Sequence, residues 1–233
     1  MLVIEFTGDN RVGKTTLAKE LTSQLLHRGK DVVCLSFGGG IRSELVELYG
    51  IPSDIIYDGS INKDTRMLRL GDYEYSEEIS HLWYEYGFIP SPTDFGDTII
   101  SLRELMITHA THLRRKQDPD YWAKDLVSQY KKFPNLEVLI IDDLRQPNEL
   151  AGFDQPVIFN VSNDYDNGTD ITQEVCRKMI RDNQDRMIPI KTTVPLLKYD
   201  ATKICKMIIK EHLGIINFVG SKKCVQYRHC RST

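Results

Sequence analysis

The sequence predicts an α/β fold with a mainly parallel sheet flanked by helices, and three apolar runs carry this prediction. The first run, residues 2–6, is followed by a glycine-containing loop and by a helical pattern at residues 14–27. The second run, residues 31–37, follows that helix, and the third, residues 136–141, ends in two acids. A strand, a helix and a further strand in this order form a right-handed parallel crossover. We therefore expect all three runs to be strands of one sheet.

The loop at residues 7–16 matches G-x-x-x-x-G-K-[ST], the pattern of a phosphate-binding P-loop. Gly8 and Gly13 allow backbone angles that a side chain would obstruct, so the loop N–H groups can point at phosphate oxygens. Lys14 can then reach the β- and γ-phosphates of ATP, and the Thr15 hydroxyl can bind Mg²⁺. The alternative, an ordinary glycine-rich turn, is disfavoured by the position between a strand and a helix. The predicted ATP-binding residues are Gly8, Asp9, Asn10, Arg11, Val12, Gly13, Lys14, Thr15 and Thr16.

Asp142 and Asp143 stand where a P-loop protein carries its Walker B carboxylate. Because side chains alternate along a strand, only one of the two is expected to face Mg²⁺. Either acid can serve; we assign Asp142 to the metal together with Thr15, and Asp143 to catalysis and substrate binding. The alternative is a strand that ends in a solvated acidic turn.

Composition argues against several classes of protein. The 233 residues are 41% hydrophobic and carry a net charge of −3, which allows a sizeable core and gives no overall basic field for nucleic acid. The five cysteines form no C-x-x-C pair, as is typical of reduced thiols in a cytoplasmic protein. Cys224, His229 and Cys230 fit no zinc pattern. We expect neither a leader peptide nor a membrane span, which needs roughly 18 apolar residues.

The segment between the second and third apolar runs is mainly helical in pattern. Gly38, Gly39 and Gly40 are expected to break the chain, and Arg42 beyond them is either a phosphate ligand or an exposed arginine at a helix start. Aromatic residues between positions 73 and 86 are expected in the core and not stacked on a base. Further helices are predicted at residues 41–49, 73–86, 97–116, 121–130, 171–182 and 200–213, and further strands at 156–161 and 187–190.

Four segments, in order, resemble the bacteriophage deoxynucleoside monophosphate kinases. They cover most of residues 1–150, and the later ones are more specific than the P-loop, which many enzymes share. The segments are residues 4–21, residues 35–51, residues 102–122 with Arg103 and the run Asp118-Pro119-Asp120-Tyr121-Trp122, and residues 138–149 with Asp143, Arg145, Asn148 and Glu149.

This resemblance implies transfer of the γ-phosphoryl group of ATP to a deoxynucleoside 5′-monophosphate (dNMP), with ATP and Mg²⁺ bound. It implies a P-loop kinase fold, in which a five-stranded, mainly parallel sheet is flanked by helices and carries a helical acceptor-binding insertion. We expect one domain over residues 1–233. Its parts are a core of about 1–40 and 135–214, an insertion of about 41–134, and a tail at 215–233.

Arg103 and Arg145 are the residues that the resemblance assigns to the acceptor phosphate. A bidentate guanidinium suits a phosphate better than a lysine does. The alternative for these two arginines is surface ion pairing with Glu104 or Glu149, and Trp122 is expected to pack and not to bind ligand. The predicted catalytic residues are Lys14, Arg103, Asp143 and Arg145, and the predicted substrate-binding residues are Arg42, Arg103, Asp143 and Arg145.

Two positions depart from the family pattern. Where the family tends to carry glycine before a threonine, this chain has Ala110 and Thr111, and we assign no role to the adjacent His109 and His112. Near Val161 the family tends to carry a basic residue that this chain lacks. The arginine that neutralises charge on the transferring phosphoryl group, carried by a lid that closes over the substrates, must therefore come from elsewhere. The candidates for the lid are the polar loop at 162–170 and, after it, Arg177, Arg181 and Arg186.

Two other functions remain open. One is a P-loop kinase that acts on a modified base in DNA, with the basic tail at 222–231 as a strand-binding segment. The other is a nucleotide-dependent ATPase or switch, which needs no acceptor. The acidic net charge and the acceptor arginines favour the mononucleotide enzyme. We therefore expect the protein to bind small nucleotides and not a membrane. DNA binding is expected only through the basic tail, and a homodimer is left open. The resemblance also implies a bacteriophage protein; we expect a cytoplasmic location, which is the host cytoplasm if a bacteriophage encodes the protein.

Overall fold

The structure of the protein is a computed structural model that describes most of the chain. The described residues are 1–164, 171–192, 196 and 198–213. The predicted tail at 215–233 and the lid-loop residues 165–170 lie outside them, as do the C-terminal cysteines and His229. No helix in the described part is both long and apolar enough to cross a membrane.

Seven strands and ten α-helices follow one another along the described chain. The strands are β1 Leu2–Thr7, β2 Val32–Leu35, β3 Met67–Arg69, β4 Ile99–Ser101, β5 Val138–Leu144, β6 Val157–Ser162 and β7 Met187–Lys191. The helices are α1 Lys14–His27, α2 Phe37–Tyr49, α3 Ser53–Tyr57, α4 Glu77–Glu85, α5 Leu102–Ile107, α6 Arg115–Gln117, α7 Tyr121–Tyr130, α8 Pro147–Leu150, α9 Ile171–Asp182 and α10 Lys198–Glu211.

The chain divides into two compact units. Unit 1 comprises Met1–Leu35 and Tyr130–Thr233, and unit 2 comprises Ser36–Gln129. Unit 1 contains all five strands of the large sheet, and unit 2 is the mainly helical insertion between β2 and β5. The division of residues 1–233 into one domain with a core, an insertion and a tail stays a prediction.

The large sheet is parallel throughout, with the strand order β2-β5-β1-β6-β7. β1 lies at its centre, with Ile4 opposite Ile140 of β5 and Val157 of β6. Because all strands run in one direction, the carboxyl ends of β1, β5 and β6 meet at the same edge, where open α/β sheets bind ligands. This arrangement confirms the predicted fold class, a five-stranded parallel sheet flanked by helices.

Helix α1 is tied to the central strand by apolar packing. Leu17, Leu21 and Leu25 recur at helical spacing and are fully buried, in one cluster with Ile4 and Phe6 of β1. Burial of each such side chain contributes about 1.5–3 kcal/mol. The packing therefore fixes the first turn of α1 relative to the end of β1.

The glycine run does not break the chain, so that prediction is wrong. α2 begins at Phe37 and includes Gly38, Gly39 and Gly40. A Cβ on Gly40 would lie 2.2 Å from Asp125 Oδ2 and 3.3 Å from a Trp122 ring carbon. A side chain at Gly40 would therefore require Asp125 to move, and glycine allows this close approach despite its helical cost of about 1 kcal/mol relative to alanine.

The predicted helix at residues 97–116 is also partly wrong, because its first residues form β4, which pairs antiparallel with β3. Ser101 and Glu104 form a capping box that starts α5 only at Leu102. A π-helix, Thr108–Arg114, then interrupts the α-helical pattern. In the same way, the helix predicted at residues 73–86 begins later, at Glu77, because the Ser76 side chain caps it.

A chain of polar side chains crosses the core of unit 2. Trp83 Nε1 donates to Tyr49 Oη at 3.0 Å, and Tyr49 Oη lies 3.1 Å from Nδ1 of His109, which is fully buried. His109 Nε2 lies 2.7 Å from Glu44 Oε2. Since the tyrosine hydroxyl can donate to Nδ1, His109 fits the neutral form that carries its proton on Nε2, and burial lowers its pKa. His109, to which the sequence assigned no role, therefore has a structural one.

Glu44 is the acceptor at the end of this chain. Arg114 Nε donates to Glu44 Oε2 at 2.7 Å, and the hydroxyl of Tyr121 donates to Oε1. Burial tends to raise the pKa of Glu44, but hydrogen bonds from His109, Tyr121 and Arg114 outweigh it and lower the pKa to about 2. The network is satisfied at both ends, and such networks favour one packing of a core.

Tyr49→Phe is expected to destabilise the protein by about 1–3 kcal/mol, because the N–H of buried Trp83 and Nδ1 of His109 each lose a partner. Urea unfolding followed by tryptophan fluorescence measures the loss. The control is Tyr84→Phe, because Tyr84 is 49% exposed, and this variant should unfold like the wild type. Equal stability of the two variants would mean that the Tyr49 hydroxyl contributes nothing.

Candidate active site

The P-loop backbone depends on its two glycines. Gly8 has φ 132°, and a Cβ there would lie 2.0 Å from the carbonyl oxygen of Val161 on β6. Gly13 has φ 96° and immediately precedes the first turn of α1. A side chain at either position would be strained or blocked, as the sequence pattern predicted. Arg11 also has a positive φ, 60°, and residues in such conformations cluster at functional sites.

Lys14 lies over the loop that precedes it. Its Nζ donates hydrogen bonds to the carbonyl oxygens of Gly8, at 2.8 Å, and Asp9, at 2.5 Å, and only 6% of the residue is exposed. Burial, followed by the charge of Arg145, lowers the pKa of Lys14 to about 8. A phosphate beside this ammonium group would offset both effects, because an anion favours the charged form of a lysine.

The acidic pair lies on the strand next to the P-loop strand. β5 pairs with β1, and Thr7 Oγ1 donates a 2.9 Å hydrogen bond to the carbonyl oxygen of Leu144. Asp142 is 8% exposed, whereas Asp143 is half-buried. Both carboxylates act to raise the pKa of Lys14 against the larger effect of burial, so both lie in the field of its ammonium group.

Two side chains near this edge of the sheet, Thr15 and Asp142, carry oxygen atoms of the kind that Mg²⁺ prefers. No group of three or more His, Cys, Asp or Glu side chains in the described residues would hold a metal. Mg²⁺ in nucleotide sites typically uses one or two protein ligands, phosphate oxygens and water. Thr15, exposed in the first turn of α1, and Asp142 are oxygen donors of the required kind.

Arg145 follows β5 directly and its side chain reaches the P-loop. Its Nη2 donates to Asn10 Oδ1 at 2.7 Å. The carboxylate of Glu149 accepts hydrogen bonds from the backbone N–H groups of Arg145, at 2.9 Å, and Gln146, at 3.0 Å. Among the described contacts it forms no ion pair with the Arg145 guanidinium. Glu149 thus shapes the turn after β5, and the guanidinium remains at the P-loop.

Arg177 on α9 binds the P-loop residue Asp9. Its Nη2 donates to Asp9 Oδ2 at 2.7 Å, and its Nε lies 3.0 Å and 3.1 Å from the two carboxylate oxygens. Of the three arginines predicted for the lid, Arg177 contacts the P-loop, Arg181 lines the adjacent cavity, and Arg186 acts electrostatically on Glu5. Arg177 and Arg181 are four residues apart, which places them on the same face of a helix, and this spacing is the feature of the sequence that could have indicated their shared location.

A cavity of about 240 Å³ adjoins the P-loop within unit 1. It lies between the P-loop, the end of β6 and α9. Its lining residues are Gly8, Asp9, Val12, Asn160, Val161, Ser162, Asn163, Arg177, Ile180 and Arg181. Arg177 and Arg181 of α9 therefore lie beside the same cavity as Val161, the position near which the sequence lacks the basic residue of the family.

Three further side chains support the loop, and no sequence pattern pointed to them. Thr192, just after β7, donates its hydroxyl to the carbonyl oxygen of Val12 at 2.8 Å. Leu196 packs at Gly13, where a Cβ would lie 2.8 Å from its Cδ2. Cys176 Sγ lies 3.5 Å from Thr7 Oγ1. Nothing local in the sequence marks these contacts, because they join segments more than 160 residues apart.

Unit 2 contains the other two predicted phosphate ligands, Arg42 and Arg103. The Arg103 Nε donates to Asp64 Oδ1. Glu104, the expected ion-pair partner, instead accepts from the N–H and the hydroxyl of Ser101, at 3.2 Å and 2.8 Å, in the capping box. Trp122 is 1% exposed and its indole N–H donates to the carbonyl oxygen of Ala110, so it packs as expected.

No protein-family model and no curated protein matches the chain. Among solved structures, a thymidylate kinase from Candida albicans is similar, with a TM-score of 0.39 and 13% identity over 90% of this chain and 91% of that one. So is a cobyrinic acid a,c-diamide synthase from Mycobacterium smegmatis with bound ATP analog and magnesium, with a TM-score of 0.37 and 15% identity over 91% of this chain and 83% of that one.

The same synthase with bound ADP and magnesium gives a TM-score of 0.37 and 15% identity over 91% of this chain and 82% of that one. The similarity is too low to carry a function. The fold assignment therefore rests on the parallel strand order and on the P-loop geometry, in which Gly8, Gly13 and Lys14 take the positions that a nucleotide-binding loop requires.

Proposed function

We propose that the protein is a deoxynucleoside monophosphate kinase, which transfers the γ-phosphoryl group of ATP to a dNMP and releases ADP and a dNDP. The observation that carries this proposal is the grouping of Lys14, Asp142, Asp143 and Arg145 at the carboxyl edge of the parallel sheet. Phosphoryl transfer uses a lysine, a carboxylate that serves Mg²⁺ and arginines to neutralise charge on phosphates.

On the donor side, Lys14 and the P-loop N–H groups would bind the β- and γ-phosphates of ATP. Lys14 Nζ, now bonded to the carbonyl oxygens of Gly8 and Asp9, is already held at the loop. A cation held in place by its own protein loses little freedom when charge develops on the transferring group. Thr15 and Asp142 would hold Mg²⁺, which supplies further charge neutralisation when bound.

On the acceptor side, Arg145 in unit 1 would hold the 5′-phosphate of the dNMP, and Asp143 is a further substrate-binding residue. Arg103 and Arg42 in unit 2 keep the substrate-binding roles predicted from the sequence. The acceptor phosphate is itself the nucleophile and is already ionised, so the reaction needs neither a covalent intermediate nor a strong base. Catalysis then consists of positioning and charge stabilisation. Arg177 is the proposed lid arginine. Its guanidinium would release the carboxylate of Asp9 and bind the transferring phosphoryl group instead.

An assay of ADP release tests the proposal directly. Purified protein, ATP and Mg²⁺ are incubated with each of the four dNMPs and with 5-hydroxymethyl-dUMP, and ADP is followed by a coupled enzyme assay. We expect at least one dNMP to accelerate ADP release strongly, with the matching dNDP as product. The Arg145→Met variant should lose most of this acceleration, because it removes an acceptor cation.

Two other results would contradict the proposal. Transfer of label from [γ-³²P]ATP to DNA, with no dNMP accepted, would favour the kinase that acts on a base in DNA. ADP release that no acceptor accelerates would favour an ATPase or switch. Bacteriophage origin and a cytoplasmic location stay predictions from the sequence, and a homodimer stays an open possibility.

A further inference from the structure

The segment of unit 2 between α3 and β3 carries a lysine, Lys63, that no sequence pattern pointed to. The backbone N–H of Arg103 donates to the carbonyl oxygen of Lys63 at 3.1 Å, and that of Leu102 donates to Arg66 at 2.9 Å. The segment also folds on itself, because Arg66 N–H donates to the Asn62 carbonyl oxygen at 3.0 Å. These bonds hold Lys63 against the first turn of α5, beside Arg103.

Lys63 lies beside Arg103, and the positive charge of Arg42 also acts on it. Burial, followed by the charges of Arg42 and Arg103, lowers the pKa of Lys63 to about 8. Lys63 and Arg42 are both half-buried, and within the described residues of unit 2 no carboxylate lies at ion-pairing distance from either. Like charges held together out of water are unfavourable, and an anion bound among them relieves that cost.

Arg103 is the member of this group that has a counter-ion. Its Nε donates to Asp64 Oδ1, in an ion pair whose side chains are 36% and 49% exposed. Asp64 is held in a turn by its own N–H, which donates to Asn62 Oδ1 at 3.1 Å. A carboxylate on a guanidinium presents the same oxygens that a phosphate would, so Asp64 occupies the phosphate-binding face of Arg103.

We propose that Lys63 is a further substrate-binding residue, which together with Arg42 and Arg103 forms a site for a phosphate monoester dianion, and that Asp64 occupies Arg103 until this ligand displaces it. The inference rests on the proposed function, in which the ligand is the 5′-phosphate of the acceptor dNMP. The three cations and Asp64 together carry a net charge of +2, which a dianion balances, whereas Asp64 alone neutralises only Arg103.

Equilibrium binding by calorimetry tests the site without ATP. The titrants are inorganic phosphate, the four dNMPs and the corresponding nucleosides, which lack the phosphate. We expect Lys63→Met to weaken binding of the accepted dNMP by about 10- to 100-fold, the range for losing a hydrogen bond to a charged group. Binding of the nucleoside should not change. Lys63→Arg should keep most of the affinity, and Asp64→Asn should raise it several-fold.

The exposed pair Arg69–Asp97 is the matched control. It also lies in unit 2, its Nη2–Oδ1 distance is 2.7 Å, and its side chains are 56% and 77% exposed. Arg69→Met and Asp97→Asn should leave dNMP and phosphate binding unchanged. Weakening by these variants equal to that of Lys63→Met would show a general effect of surface charge and overturn the proposal.

The outcomes separate this inference from the proposed function. Binding of a dNMP that Lys63→Met does not weaken overturns the role of Lys63 and leaves the kinase proposal intact. Binding of phosphate that depends on Lys63, with no dNMP turned over, supports the site and contradicts the kinase. Absence of both phosphate and dNMP binding overturns both.

A second measurement does not depend on how well the variants fold. In the wild-type protein, acetic anhydride labelling of Lys63 is followed by mass spectrometry with and without ligand. We expect the accepted dNMP to slow acetylation of Lys63 several-fold, whereas its nucleoside leaves the rate unchanged. Lys124, which is exposed and paired with Asp118, is the internal control. An unchanged rate at Lys63 under saturating dNMP would overturn the proposal.

Discussion

Lys14→Ala is expected to lower kcat for phosphoryl transfer by about 100- to 1,000-fold, the usual effect of removing one preorganised group from a charge-stabilising site. The side chain is 6% exposed and its Nζ is fixed by two P-loop carbonyl oxygens. Alanine removes this positive charge, which a water molecule in its place would not restore. Coupled ADP release with the accepted dNMP measures the loss, and calorimetry with ATP shows how much of it is weaker binding.

Lys19→Ala is the matched control for this prediction. Lys19 is exposed on the same helix, α1, one turn and one residue further on. Its loss should leave both kcat and ATP affinity near the wild-type values. Lys14→Arg should also be impaired, because a planar guanidinium does not replace a compact ammonium at this site. A Lys14→Ala enzyme with nearly full activity would rule out the proposed mechanism.

Glu5→Leu is expected to remove a pH dependence from the stability of unit 1. Glu5 lies in the central strand β1, is fully buried, and neither of its carboxyl oxygens has a hydrogen-bond partner among the described residues. Burial, followed by the charge of Glu149 and opposed by that of Arg186, raises the pKa of Glu5 to about 8, from 4.5. The folded protein therefore holds this carboxyl protonated at neutral pH.

The sign of the effect follows from proton binding. Between pH 4.5 and about 8 the folded state keeps a proton on Glu5 that the unfolded state has released. The free energy of unfolding therefore falls as pH rises through this window, by up to about 1.4 kcal/mol per pH unit from this group. Leucine carries no proton, so the stability of Glu5→Leu relative to wild type should increase steadily from pH 5 to pH 8.

Urea unfolding at pH 5, 6, 7 and 8 measures this difference. Subtracting the Glu5→Leu curve from the wild-type curve removes the contribution of groups that both proteins share. Glu85→Leu is the control, because Glu85 is exposed, and its difference from wild type should not vary over this range. A constant difference for Glu5→Leu as well would show that the pKa of Glu5 is not raised in the folded protein.

Strands and helices of unit 1 were predictable because their signals are local. The apolar run before the P-loop, the leucine spacing of α1 and the run that ends in Asp142 each span few residues, and the structure has β1, α1 and β5 there. The P-loop conformation was predictable for the same reason, since Gly8 and Gly13 are required by their own backbone angles.

Unit 2 was less predictable because its elements depend on contacts between distant residues. The glycines of α2 look like a chain break, yet they are helical, and residues of α7 lie close to one of them, Gly40. His109 looked like an isolated helix histidine, yet it joins Tyr49 and Glu44, which precede it by 60 and 65 residues. The spacing of residues along the sequence does not predict contacts between residues this far apart.

The sequence by itself determined that this protein has a parallel sheet with a phosphate-binding loop, because both are written in short patterns of residues with strong backbone preferences. Only the tertiary structure decided which charges surround that loop and which arginines have partners. Arg177 reaches Asp9 and Arg145 reaches Asn10 across more than 130 residues of chain. Lys63 and Asp64 reach Arg103 because a turn brings them back to α5. Side chains far apart in sequence meet only when the fold buries the apolar surfaces between them. Their hydrogen bonds and ion pairs therefore depend on the tertiary packing.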